Sequence, residues 1–166
     1  MEGEEGLIDE QVTAVVVGII LIVAGVNASN FYLANRVTEP FSELGILGPG
    51  QKIGGYPTTL VAGQGFSLYG YVGNHEGAVN YYQVLVKLGN ESTQVSNSTY
   101  ARAAELASYG LVLVNNQSSI FRISLSLVGP GTNQRIIFEL WMFNITSSQF
   151  AYTGLFAQLW LNVTGT

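Results

Sequence analysis

Few residues in this chain have side chains that could carry chemistry. His75 is the single histidine and Asp9 the single aspartate. A Ser-His-Asp relay would therefore have to join His75 to a residue of the acidic N-terminal run. Glu76 could replace the aspartate, but neighbouring residues in a tight turn point apart. Metal binding by His75 and Glu76 would need further ligands that the nearby sequence does not offer. Cysteine is absent, so thiolate ligands, thiol nucleophiles and disulfides are excluded. The expectation is no catalytic residue, no metal and no cofactor. Glu139, inside an apolar run, is the expected buried ionisable group, with Arg122 or Arg135 as a structural partner.

The remaining chemistry is modification. Asn27, Asn90, Asn97, Asn116, Asn144 and Asn162 each open an Asn-x-Ser/Thr triplet without proline at x. With 12 Asn, 13 Ser and 11 Thr in 166 residues, chance placement gives about two such triplets. Asn27 falls in an apolar helix and is expected to stay unmodified. The other five are the expected carriers of N-linked glycans.

The elements that position these residues are of two kinds. Residues 7–33 read LIDEQVTAVVVGIILIVAGVNASNFYL, and from Val12 to Val26 carry no charge. The 15 residues of 12–26 are too short to cross about 30 Å of hydrocarbon, whereas extension to Leu33 gives 22, which is enough. The apolar residues run all the way round the helix, which argues against a buried helix of a soluble protein. A single-pass anchor would have Asp9 and Glu10 at one interface, Phe31 and Tyr32 as the aromatic belt at the other, and Arg36 beyond. A cleaved signal would cut after Ala28 but lacks a basic n-region. A pilin-type leader is suggested by Glu5-Gly6-Leu7-Ile8. The anchor is the preferred reading, with residues 1–11 an acidic cytoplasmic N-terminus, 12–36 a transmembrane or filament-core helix, and 37–166 an extracellular domain. Because the N-terminal flank has no Lys or Arg, the sequons set this orientation.

Charge supports the division. Charged residues make up 10% of the chain, and Glu2, Glu4, Glu5, Asp9 and Glu10 supply nearly all of the net −5. The rest of the chain is neutral and has no basic stripe, so nucleic acid is not an expected partner.

From residue 41 onward the pattern is short alternating strands with turn signals between them. Strands are expected at 41–47, 58–62, 66–73, 79–88, 111–114, 120–127, 135–143 and 155–163. Asn74-His75-Glu76-Gly77 reads as the turn of a hairpin between 66–73 and 79–88. Residues 99–107 fit one helical turn or an edge strand, Ala and Glu favouring the turn. Seven to eight strands at this spacing predict a mainly β, immunoglobulin-like sandwich behind one long apolar helix. Tyr69, Tyr71 and Tyr81, with His75 and Glu76, are the candidate interaction surface.

The blocks Phe41-Ser-Glu-Leu-Gly-Ile-Leu-Gly-Pro49, Tyr56-Pro57, Val61-Ala-Gly63, Val72-Gly-Asn74-His75-Glu76-Gly77, Tyr81-Tyr82, Phe138-Glu-Leu-Trp-Met-Phe143 and Leu159-Trp-Leu-Asn162-Val resemble the extracytosolic domain of the archaeal family called domain of unknown function 1616. The resemblance covers most of residues 41–164. Family members usually place several membrane helices before this domain, whereas one precedes it here. The resemblance implies an archaeal, cell-surface β-sandwich and brings no catalytic residues. The expected function is a non-enzymatic, membrane-anchored, glycosylated interaction module. Its expected partners are the lipid bilayer or sister helices through residues 12–33, and other envelope proteins or identical subunits. The alternatives are a pilin-like or strand-exchanging filament subunit, and an accessory subunit of a membrane enzyme complex.

Overall fold

The computed structural model describes residues 10–34 and 39–165. The Asp9 flank, the Glu5-Gly6-Leu7-Ile8 segment and Arg36 lie outside the described residues. The chain divides into two compact units, Met1–Glu39 and Pro40–Thr166.

Among the described residues, the first unit contains one helix, α1 (Glu10–Ala34). No proline interrupts it, and a helix satisfies its own backbone groups even where water is absent. Its apolar span, Thr13–Leu33, has 21 residues and no part of it is buried, which at about 1.5 Å per residue gives roughly 31 Å. Leu21 and Ile22 are 67% and 68% exposed, and Phe31 and Tyr32 more than 70%. Cβ atoms added at Gly18 and Gly25 would meet nothing within 4 Å. Thus no residue of the span is buried.

The second unit is built of β1 (Phe41–Leu47), β2 (Thr59–Val61), β3 (Gly65–His75), β4 (Asn80–Gly89), β5 (Ala104–Leu113), β6 (Gln117–Ser126), β7 (Gly131–Asn144) and β8 (Gln149–Thr164). They form a three-stranded sheet, β1-β3-β6, and a five-stranded sheet, β2-β8-β7-β4-β5. All pairings are antiparallel except β2 with β8. The two inner faces meet in one core containing Leu68 and Val72 of β3, Tyr82, Val84 and Val86 of β4, Ile123 of β6 and Ile136, Phe138 and Leu140 of β7. Period-two alternation explains each contribution: Leu68 and Val72 face in while Tyr69 and Tyr71 face out. This is the expected immunoglobulin-like sandwich, with eight strands.

Two local expectations are corrected. β3 and β4 are not a hairpin. β3 pairs with β1 and β6, and β4 with β5 and β7, so the chain between them arches from one sheet to the other. Both strands alternate, and alternation alone does not reveal which partner a strand takes. Residues 99–107 contain no helical turn. Instead, β5 begins at Ala104 and runs along the edge of the larger sheet, where pairing with β4 outweighs the weak helical propensity of Ala and Glu.

β7 is the middle strand of its sheet, and Arg135 to Leu140 are buried on both faces. One face meets the core. The other is covered by the segment between β4 and β5, and this cover creates the most unusual polar environment in the domain.

Candidate functional site

Two polar networks are built into the sandwich. The first lies at its Pro40 end and contains the Asn74-His75-Glu76-Gly77 motif. β3 continues through His75, so Asn74 is a strand residue paired with Ser42 rather than part of a turn. It is fully buried. Its Oδ1 accepts from the Glu76 amide (3.1 Å), the Tyr82 hydroxyl (3.1 Å) and Asn80 Nδ2 (3.3 Å). Its Nδ2 donates to the carbonyls of Ala78 and Leu113, both at 2.8 Å. One side chain thus ties the β3–β4 arch to β4 and β5. Gly77 follows at φ 79°, a conformation glycine adopts without steric cost.

His75 and Glu76 diverge, as expected of such neighbours. The His75 ring stacks on Phe41 with centroids 4.6 Å apart; Nδ1 lies 3.1 Å from Asn116 Oδ1, and Nε2 lies 3.6 Å from Glu43. Glu76 instead accepts from Ser42 Oγ at 2.5 Å, and Ser42 Oγ lies 2.9 Å from the Tyr82 hydroxyl. Tyr71 donates to Glu43 at 2.6 Å, and that bond to a carboxylate, followed by burial, raises its pKa. Burial raises the Tyr82 phenol as well. No hydrogen bond joins His75 to Ser42, the hydroxyl that Glu76 holds. Among the described residues, no three His, Asp or Glu side chains come together as metal ligands would. A shallow cavity of about 340 Å³ opens at this end between Phe41, Ser42, Glu76, Met142 and Leu155.

The second network lies on the outer face of the larger sheet. Glu139 is fully buried, as its apolar surroundings predict, but its partner is Lys87 at 2.8 Å, not Arg122 or Arg135. The register explains the correction: Leu85 pairs with Glu139 and Lys87 with Ile137, so Lys87 and Glu139 are diagonal neighbours on one face. Arg122 lies on the other sheet and donates to Ser67. Arg135 donates to Gln158 and, at 2.7 Å, to the Thr93 carbonyl. Burial lowers the Arg135 pKa.

This ion pair latches the β4–β5 segment. Glu139 accepts the Ala101 amide at 2.5 Å and Trp141 Nε1 at 3.1 Å. Lys87 donates to the Ala101 carbonyl at 2.9 Å, with the Tyr100 and Trp141 ring centroids 5.2 and 5.8 Å from its Nζ. The Tyr152 hydroxyl donates to the Ser96 carbonyl at 2.8 Å. Burial, reinforced by the Glu139 charge, pushes the Tyr152 phenol up to about 12. Sequence reasoning missed this latch because Lys87, alternating with core residues, reads as a solvated position. The one available signal was a lone charged residue in the strand.

The expected tyrosine face divides. Tyr69 and Tyr71 are half-buried on the outer side of the smaller sheet, whereas Tyr81 lies on the outer side of the larger one, against Phe143 and Phe150. Tyr81 sits on β4, and β4 is not in the sheet of β3.

All five candidate acceptor asparagines are exposed: Asn90, Asn97, Asn116, Asn144 and Asn162. Asn27, by contrast, donates its Nδ2 to the Val23 carbonyl four residues back in α1, at 2.8 Å.

No curated protein matches the chain. Among solved structures, similarity extends to the CARDB domain of the PF1109 protein of Pyrococcus furiosus, crystallised with di-metal ions, at 10% identity and TM-score 0.48, covering 76% of this chain and 90% of that one. A β-glucosidase of Listeria innocua in complex with glucose aligns at 11% identity and TM-score 0.47, over 76% of this chain but 16% of the enzyme. The model of the family described as domain of unknown function (DUF1616) matches residues 35–162. That match takes in the whole sandwich but for its last strand residues, together with the Asn74 brace and the Lys87–Glu139 latch, and the chain belongs to this family.

Proposed function

We propose that this chain is a membrane-anchored surface module without enzymatic activity. Its helix sits in the bilayer and holds the β-sandwich outside an archaeal cell membrane, for contacts with other envelope proteins or with copies of itself. The observation that carries the reading is the exposure of α1: a 21-residue, predominantly apolar span in one helix, none of it buried. In water each exposed Leu or Ile would cost about 1.5–3 kcal/mol relative to burial, so such a helix requires lipid or sister helices around it. The span fits roughly 30 Å of hydrocarbon, and Phe31 and Tyr32 stand at its C-terminal end as interfacial aromatics do.

Contact with partners falls to the domain. Tyr69 and Tyr71 form its proposed surface on the smaller sheet, with His75 and Glu76 at the Pro40 end and Tyr81 on the opposite side of the sandwich. The buried networks around Asn74 and Lys87–Glu139 hold the framework rigid rather than perform a reaction.

Mass spectrometry of the N-terminus of the native protein tests this. The anchor reading expects a chain that retains residues 1–11. A mature start at Leu7 would replace it with a pilin-like filament subunit, and a start near Ser29 with a released protein.

A further inference from the structure

Four of the five exposed sequon asparagines, Asn90, Asn116, Asn144 and Asn162, share a geometry that their sequence does not specify: the side-chain oxygen is engaged and the nitrogen is not. At Asn90, the side-chain oxygen accepts from the Ser92 amide at 3.0 Å, from Ser92 Oγ at 2.7 Å and from Thr93 Oγ1 at 3.3 Å. Asn144 Oδ1 accepts the amides of Thr146 (2.9 Å) and Ser147 (3.2 Å), and Asn162 Oδ1 accepts the Asn133 amide at 2.8 Å. A backbone N–H can only donate, so the atom it meets must be the carbonyl oxygen and the nitrogen must point away. Asn116 Oδ1 meets His75 Nδ1 at 3.1 Å. Asn97 stands exposed in the segment over the larger sheet. Among the described residues, none of the five Nδ2 atoms donates a hydrogen bond, whereas the Nδ2 of Asn27 is tied to its own helix.

We propose that Asn90, Asn97, Asn116, Asn144 and Asn162 carry N-linked glycans and that Asn27 does not. Each free Nδ2 would attack C1 of a sugar carried on a lipid phosphate donor, in the site of a membrane transferase. The N–C1 bond forms as the C1–O bond to phosphate breaks. The lipid phosphate leaves with the bonding pair, and the amide gives up one proton to solvent. Because Oδ1 keeps its bonds at Asn90, Asn116, Asn144 and Asn162, a glycan at those positions costs the fold no hydrogen bond. The acceptors fall at both ends of the sandwich and on the segment over the larger sheet. None lies within β1, β3 or β6. This inference rests on the proposed orientation, with the domain outside the membrane.

Tryptic mapping of the full chain from its native membrane tests it. Peptides 88–102, 103–122 and 136–166 contain two, one and two of the acceptors, and should gain two, one and two glycan masses. S118A should remove the addition from 103–122 while leaving Asn116 in place, and N116Q should do the same. Unmodified peptides from a protein that partitions into the membrane would overturn the inference and leave the anchor standing. Modified peptides from a protein that does not partition would support it and overturn the anchor. A glycan on Asn27 would overturn the geometric criterion.

Discussion

The Lys87–Glu139 pair offers the sharpest test of how this fold is held. Glu139→Gln keeps the side chain's shape, and its amide oxygen can still accept from the Ala101 amide, but the charge is lost and the atom facing Lys87 and Trp141 becomes an N–H donor. Lys87, whose side chain is 9% exposed, would then hold an ammonium with only the Ala101 carbonyl and two aromatic rings beside it. Removing one partner of a buried pair costs about 3–5 kcal/mol. The domain spans 127 residues, Pro40–Thr166, and an unfolding entropy of about 2.1 cal/mol/K per residue makes that roughly 11–19 °C in Tm. Lys87→Met strands the carboxylate instead and should cost a similar amount. The double variant K87M/E139L restores an apolar contact and should come back to within about 1–2 kcal/mol of the parent. Thermal and urea unfolding of the full chain in detergent, run as a double-mutant cycle, measures the coupling. Single-variant losses under about 1 kcal/mol, or additive effects in the double, would refute the latch. Amide exchange at Ala101 supplies a local readout, with protection falling in E139L, which leaves that amide without its acceptor, well before the core strands open.

Two further perturbations probe the same framework. Asn74→Ala removes five hydrogen bonds at a fully buried position and should cost about 3 kcal/mol or more, since each stranded buried group costs about 1–3 kcal/mol; a loss below about 1 kcal/mol by urea unfolding would show the brace to be dispensable. Tyr152 has a folded pKa of about 12, raised from 10.0, so its neutral form is favoured by the fold. That contribution is fully present below pH 10 and is lost as pH rises toward 12, where the unfolded chain has released the proton and the folded one has not. Stability followed by circular dichroism should therefore fall above pH 10 more steeply in the parent than in Y152F, and equal slopes would contradict the assignment.

How much of this was legible in the sequence varies from element to element. The strand at 120–127 could be read directly, because Ile123, Leu125 and Leu127 are buried while Arg122, Ser124 and Ser126 are exposed, and period two is unambiguous there. Glu139 was legible as buried for the same reason: an acid amid apolar residues on both faces has nowhere else to go. Its partner was not. Lys87 is close to Glu139 only through the β4–β7 register and is dry only because residues 90–103 fold over it; both facts are long-range. The Asn74 brace was hidden in a similar way. Asn-His-Glu-Gly has the composition of a turn, and only the switch of sheets between β3 and β4 turns its first residue into a buried clamp. The same switch separates Tyr81 from Tyr69 and Tyr71, which no local pattern could have foretold. The helix needed no tertiary knowledge, since an apolar run of this length on every face has a bilayer or a bundle of its own kind as its natural surroundings.

The central claim concerns that helix, and its direct test is phase partitioning of the native full chain between buffer and a non-ionic detergent. The account predicts that the protein enters the detergent phase and resists alkaline extraction from membranes, and that L21K/I22K moves it toward buffer. A parent protein recovered intact in the aqueous phase without detergent would contradict it.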